Sequence, residues 1–132
     1  MRPRRVYETV LYAPDVPAAV AFYEDVLGLR LVDRPDELSA AFRLDDGGVL
    51  LLFDPARSSA PGRFVPSHGA AGAGHVAFSV QPGELDAFAD ELRSRSVVIE
   101  REIDWDGRGR SIYIRDVAGN SVELVDGELW PL

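Results

Sequence analysis

The chain has 132 residues, 46% of them apolar and 27% charged, which describes a soluble globular protein of one compact unit or two very small ones. It contains no cysteine, so disulfides, thiolate metal sites and a cysteine nucleophile are excluded; all fourteen basic residues are arginine, so a Schiff-base lysine is excluded too. The net charge of −8 disfavours nucleic acid and anionic membranes as partners.

The N-terminal stretch "MRPRRVYETV" is basic but lacks an apolar h-region, and no apolar run approaches ~20 residues. Neither a signal peptide nor a membrane span is expected, and the expected location is cytoplasmic. "VYETVLYAPD" alternates and is rich in β-branched and aromatic residues, which predicts a strand. Asp15 and Pro17 then announce a helix: a capping carboxylate, followed by proline near the first turn. In "VPAAVAFYEDVLG" a stripe of Val16, Ala19, Val20, Tyr23, Val26 and Leu27 has helical spacing, and Gly28 suits a left-handed C-cap. "LRLVDR", "SAAFRLD" and "VLLLFD" predict three more strands, with a turn at Gly47-Gly48. Residues 54–73 are dense in Pro, Gly, Ser and Ala and read as a linker or a long mobile loop. The pattern then restarts. "GHVAFSV" predicts a strand and "PGELDAFADELRSR" a helix burying Leu85, Phe88, Ala89 and Leu92. "VVIEREID", "RSIYIRD" and "SVELVD" predict three strands, with a last turn at Ala118-Gly119-Asn120 and an irregular tail "GELWPL".

Strand, helix and three strands therefore occur twice. Sliding one half on the other sets Glu8 against His75 and Leu51 against Glu123. Three of these four positions hold good ligands for a divalent metal, and strand alternation places them on matching faces. A lone histidine would read as a satisfied core residue; with two carboxylates at repeat-related positions, His75 reads as a ligand. Glu8 alone would read as an exposed strand start. Glu123 stands between Val122 and Leu124, and burying it unpaired would be costly unless a cation offset its lost hydration. A half-exposed sheet is the other reading of Glu123.

The opening "YETVLYAPDVPAAVAFYEDVLGLRLV", with Phe22, Tyr23, Val26, Leu27, Gly28 and Leu29, resembles the first module of the vicinal oxygen chelate superfamily. That superfamily includes glyoxalase I, fosfomycin-resistance proteins, extradiol dioxygenases and bleomycin-resistance proteins. "GHVAFSV" and "RDVAGNSVELV" resemble its second module, so the resemblance covers nearly the whole chain. It implies an α+β fold of two βαβββ modules, residues 5–54 and 74–127 joined by a linker loop over 55–73, whose curled mixed sheets enclose a cavity. It implies a homodimer, and a divalent metal ion (Fe, Mn, Ni or Zn) held by Glu8, His75 and Glu123. Glu8 departs from the histidine of many members. Leu51 stands where glyoxalase I carries a fourth ligand, which argues against classical glyoxalase I activity.

The function implied is that of a metal-dependent lyase, isomerase or dioxygenase acting on a small substrate with vicinal oxygens by Lewis-acid catalysis. The rival is a non-catalytic protein that sequesters an antibiotic or small aromatic metabolite, as bleomycin-resistance proteins do; those relatives generally lack the ligand set. Glu123 and His68 are the candidate catalytic groups. His68 in "VPSHGAAGAG" reads either as a plain loop residue or as a gate or proton-transfer group. Arg110 is a surface charge or a bidentate anion binder, Tyr113 a hydrogen-bond donor to substrate or a packing residue, and Phe53 core or pocket wall. These three form the expected substrate-binding set.

Overall fold

The computed structural model describes residues 1–33 and 35–131. Arg34, the last residue of the expected strand "LRLVDR", and Leu132, the last of the expected irregular tail, lie outside the described residues. The chain divides into two compact units, residues 1–72 and 73–132. The fold is α+β, and each unit carries one four-stranded mixed sheet.

In the first unit, β1 (Glu8–Tyr12), β2 (Arg30–Leu31), β3 (Ser39–Arg43) and β4 (Val49–Phe53) form a sheet in the order β1-β4-β3-β2. β1 runs parallel to β4 and the other pairs are antiparallel. A parallel pair needs a crossover, and α1 (Val16–Ala21) supplies it. The Asp15 carboxylate caps α1 by accepting from the Ala18 N–H at 3.1 Å. Beyond Ala21 the helix widens into a π-helical turn, Phe22–Val26, which ends before Gly28 at φ +67°. Val16, Ala19, Val20, Phe22 and Tyr23 are buried, as are Leu11 on β1, Ala40 and Phe42 on β3, and Leu50 and Leu52 on β4. Period-two alternation therefore sends Glu8, Val10, Tyr12, Val49, Leu51 and Phe53 to the opposite face.

The stretch read as a linker belongs to this unit and is partly helical. Asp54 caps α2 (Pro55–Ser58) through the Ala56 N–H at 2.9 Å. The chain then folds back: Ser58 Oγ donates to the His68 carbonyl at 2.7 Å, and the His68 N–H returns a bond to the Ser58 carbonyl at 3.0 Å.

The second unit repeats the plan. β5 (His75–Ser79), β6 (Arg101–Asp104), β7 (Gly109–Arg115) and β8 (Ser121–Gly127) are ordered β5-β8-β7-β6, with β5 parallel to β8. α3 (Leu85–Ser94) buries Leu85, Ala89 and Leu92 on the same side as Ile112, Ile114, Val122 and Leu124. β6 begins later than "VVIEREID" suggests. The chain first closes α3, with the Val97 N–H on the Leu92 carbonyl, and the ladder to β7 starts only when the Glu100 N–H reaches the Tyr113 carbonyl at 2.8 Å. β8 ends at Gly127, which faces Gly109 across the ladder.

Those two glycines have φ of +129° and +145°, and a Cβ on Gly109 would collide with the Asp126 carbonyl oxygen. A side chain held in such a conformation costs about 1–3 kcal/mol before any collision. Gly109→Ala is therefore expected to lower the unfolding free energy by at least that amount in urea titration; a wild-type midpoint would contradict the close approach.

Candidate functional site

β8 is the centre of the candidate site. Its alternation turns Val122 and Leu124 toward α3 and Glu123 to the other face, where the cross-strand neighbours of Glu123 are Ala77 and Tyr113. His75 lies two residues before Ala77, opposite Ser121, so it sits diagonal to Glu123 on the same face. The two side chains meet, with His75 Nε2 3.3 Å from Glu123 Oε2.

Glu123 is only 6% exposed, and a carboxylate so enclosed needs partners. Ser111 Oγ donates to Oε1 at 2.6 Å, and Trp105 Nε1 donates to Ser111 Oγ at 2.8 Å. The Tyr113 hydroxyl bonds to the same carboxylate. Burial, then this bond and the carboxylate's charge, push the Tyr113 phenol above its ordinary value. The His75 ring stacks beside Tyr113 with centroids 6.4 Å apart.

His75 Nδ1 lies 3.2 Å from the Ser121 carbonyl oxygen. Ser121 Oγ lies at the same 3.2 Å from Nδ1, so Ser121 meets this nitrogen both with a carbonyl that accepts and with a hydroxyl that can donate or accept. Nε2 and Oε2 face each other, an arrangement satisfied by a proton between them or by a cation. Two donors at about 2.0–2.2 Å from one ion stand about 3.0–3.5 Å apart in octahedral or tetrahedral geometry. The 3.3 Å separation of this pair fits that requirement. Next to it, between β6 and β7, a hollow of ≈ 320 Å³ is lined by Arg101, Ile103, Tyr113, Arg115 and Ser121.

The first unit lacks this arrangement. Glu8 heads β1 as His75 heads β5, while Leu51 holds the place of Glu123 and Ala41 that of Tyr113. Glu8 is exposed. Among the described residues no group of three or more His, Asp or Glu side chains is gathered to hold an ion. His68 and Phe53 do come together. The Tyr12 hydroxyl lies 2.7 Å from His68 Nδ1, and the imidazole meets the Phe53 ring edge-on at 4.7 Å. His68 also lines a groove of ≈ 550 Å³ with Pro55, Ser59 and Ser67.

Arg110 is placed elsewhere. It follows the Ile112 and Ile114 side of β7, away from Glu123, and donates to Asp86 in the first turn of α3 at 3.0 Å. Its guanidinium is held in the charged form, its pKa raised first by that hydrogen bond and then by Asp86's charge. Sequence reasoning missed Ser111 and its bond to Trp105. The signal lay in the register: a hairpin turning at Ala118–Asn120 pairs Tyr113 with Glu123 and puts Ser111 two residues along on the same face.

The family model described as the Glyoxalase/Bleomycin resistance protein/Dioxygenase superfamily matches residues 5–124, and the chain belongs to this family. Among solved structures, the chain is similar to lactoylglutathione lyase from Agrobacterium tumefaciens, with 38% identity, complete coverage of both chains and a TM-score of 0.92. It is also similar to a glyoxalase/dioxygenase from Nostoc punctiforme, at 25% identity over 94% of this chain and 91% of that one, with a TM-score of 0.69. Metapyrocatechase 2 from Cupriavidus necator is 42% identical over 60 residues, 46% of this chain and 19% of that protein. The match thus spans about a fifth of that curated relative.

The direction of the Tyr113 shift gives a test in the metal-free protein. A phenol whose folded-state pKa is raised above ~10 contributes stability that is present below pH ~10 and lost as pH rises through the folded value. Ultraviolet titration of wild type minus Tyr113→Phe should show one tyrosine of the four ionising above the ordinary range. A difference curve centred at or below the ordinary value would contradict the Tyr113–Glu123 contact.

Proposed function

We propose that this chain is a divalent-metal-dependent enzyme of the glyoxalase/dioxygenase type, acting on a small substrate with two neighbouring oxygens. The observation that carries the reading is the His75–Glu123 pair, a ring nitrogen and a carboxylate oxygen 3.3 Å apart, the separation of two ligands on one ion. Glu8 is proposed as the third ligand on the family resemblance and its repeat-equivalence to His75. With Leu51 in place of a fourth donor, three ligands leave positions for substrate and water. When bound, a divalent ion supplies Lewis-acid polarisation of the substrate's neighbouring oxygens.

The chain's own residues do the rest. Ser121 anchors the His75 ring through Nδ1, which leaves Nε2 turned toward Glu123. Glu123 has one oxygen held in its buried setting by Ser111. Tyr113 holds its proton at neutral pH and offers a donor beside the carboxylate. His68, with Nδ1 held by Tyr12, is proposed as a proton-transfer group. The full-length similarity to a lactoylglutathione lyase supports lyase chemistry, and the partial match to a metapyrocatechase supports dioxygenase chemistry. A homodimeric state belongs to the same reading and is measured by light scattering.

Elemental analysis of protein purified without a metal-affinity tag, with assays for lactoylglutathione formation and catechol ring opening, tests the proposal. Mn(II) or Zn(II) at about a hundred times its Kd should stabilise the native state by about 2.7 kcal/mol, seen as a rise in Tm. His75→Ala and Glu123→Gln should abolish the rise. An equal rise in His75→Ala, or bound small molecules without turnover or metal, would replace the enzyme with a sequestering protein.

A further inference from the structure

We infer that Ser111 and Trp105 are positioning residues that select which oxygen of Glu123 is offered to the ion; the inference rests on the metal-binding reading above. An indole N–H can only donate. Trp105 Nε1 donates to Ser111 Oγ at 2.8 Å, so that oxygen's acceptor side is occupied and its own proton is free to point elsewhere. Oγ donates to Glu123 Oε1 at 2.6 Å, a charge-assisted bond that a carboxylate can only accept, and the Tyr113 hydroxyl bonds within the same group, to Ser111 and to the carboxylate. The chain of donors therefore runs one way, Trp105 to Ser111 to Oε1. It leaves Oε2 as the oxygen that faces His75 Nε2 at 3.3 Å.

The surroundings fix each member. Ser111 is 1% exposed, so water does not compete for its hydroxyl. Trp105 is held by the tight β6–β7 turn: its backbone N–H bonds to the Gly109 carbonyl at 2.8 Å, and Asp106 and Gly107 adopt φ of +56° and +83°. The indole thus comes from a constrained hairpin rather than from a loose loop. The face that carries the ligands and the hairpin that orients one of them are parts of a single ladder, β6-β7-β8. Removing the serine hydroxyl takes from Oε1 its 2.6 Å donor and leaves Tyr113 as the carboxylate's hydroxyl partner, and the carboxylate then turns instead of presenting Oε2 alone.

Isothermal calorimetry with Zn(II) and Mn(II) tests this in the Trp130→Phe background, where Trp105 is the only indole and its fluorescence reports the same binding event. Ser111→Ala is expected to weaken Kd by roughly 10–100-fold, with the ion no longer perturbing Trp105 emission. Ser111→Thr, which keeps Oγ, should recover most of the affinity. Trp105→Phe, read by calorimetry, should weaken binding in the same direction. Wild-type affinity in Ser111→Ala, with binding lost in His75→Ala and Glu123→Gln, overturns the inference and leaves the metal site standing. Unchanged binding in His75→Ala and Glu123→Gln overturns the metal reading itself. Failure of Ser111→Thr to recover affinity assigns the effect to packing and overturns the positioning role. Should Ser111→Ala not fold, wild-type affinity in Trp105→Phe overturns it.

Discussion

A carboxylate enclosed in a β-sheet is the constraint around which the second unit is organised. Leaving Glu123 charged and nearly inaccessible without compensation would cost several kcal/mol. The sheet supplies that compensation on one oxygen through Ser111 and Trp105 and brings an imidazole to the other. Every strand of the sheet takes part: β5 contributes the imidazole, β8 the acid and β7 the serine, and Trp105 follows directly on β6. The opposite face packs Ile112, Ile114, Val122 and Leu124 against α3, with Arg110–Asp86 and Glu102–Arg93 pairs at its margin, so Glu123 is buried without being placed in the core.

The two units show what duplication does with one scaffold. Both use a capped or helix-filled crossover to set a parallel pair beside an antiparallel hairpin. On the equivalent face of the first unit the central strand carries Leu51, and there is no acid to satisfy. At the end of β1 the Tyr12 hydroxyl meets His68 of the loop that follows α2. One copy is thus equipped with an enclosed acid–imidazole pair, while the other keeps a single exposed glutamate at its strand start.

Much of this was legible in the residues. The repeat, the eight strands and the two long helical segments followed from alternation, caps and glycine positions, because these signals are local. The pairing of His75 with Glu123 was legible through the repeat alignment, which stands in for tertiary contact. Three features were not. Strand β2 shrinks to Arg30–Leu31 because length depends on a partner's ladder rather than on composition. Helix α2 in the Pro-rich stretch is a four-residue turn set by the Asp54 cap, below what periodicity detects. Arg110 was read as a surface charge or a bidentate anion binder, and strand parity sends it to the helix side, where Asp86 takes it. The same parity, applied across the hairpin, would have exposed Ser111.

The acid and the imidazole reside on neighbouring parallel strands, separated in the chain by a helix and two further strands. No short peptide can hold them together, unlike ligands spaced one turn apart on a helix. The pair comes into being only when the last strand slots between β5 and β7, the final long-range closure in chain order. Occupancy of the pair therefore doubles as a sensor of finished assembly: a molecule truncated before residue 121, or stalled with its hairpin undocked, has the imidazole and the serine but nothing for them to hold.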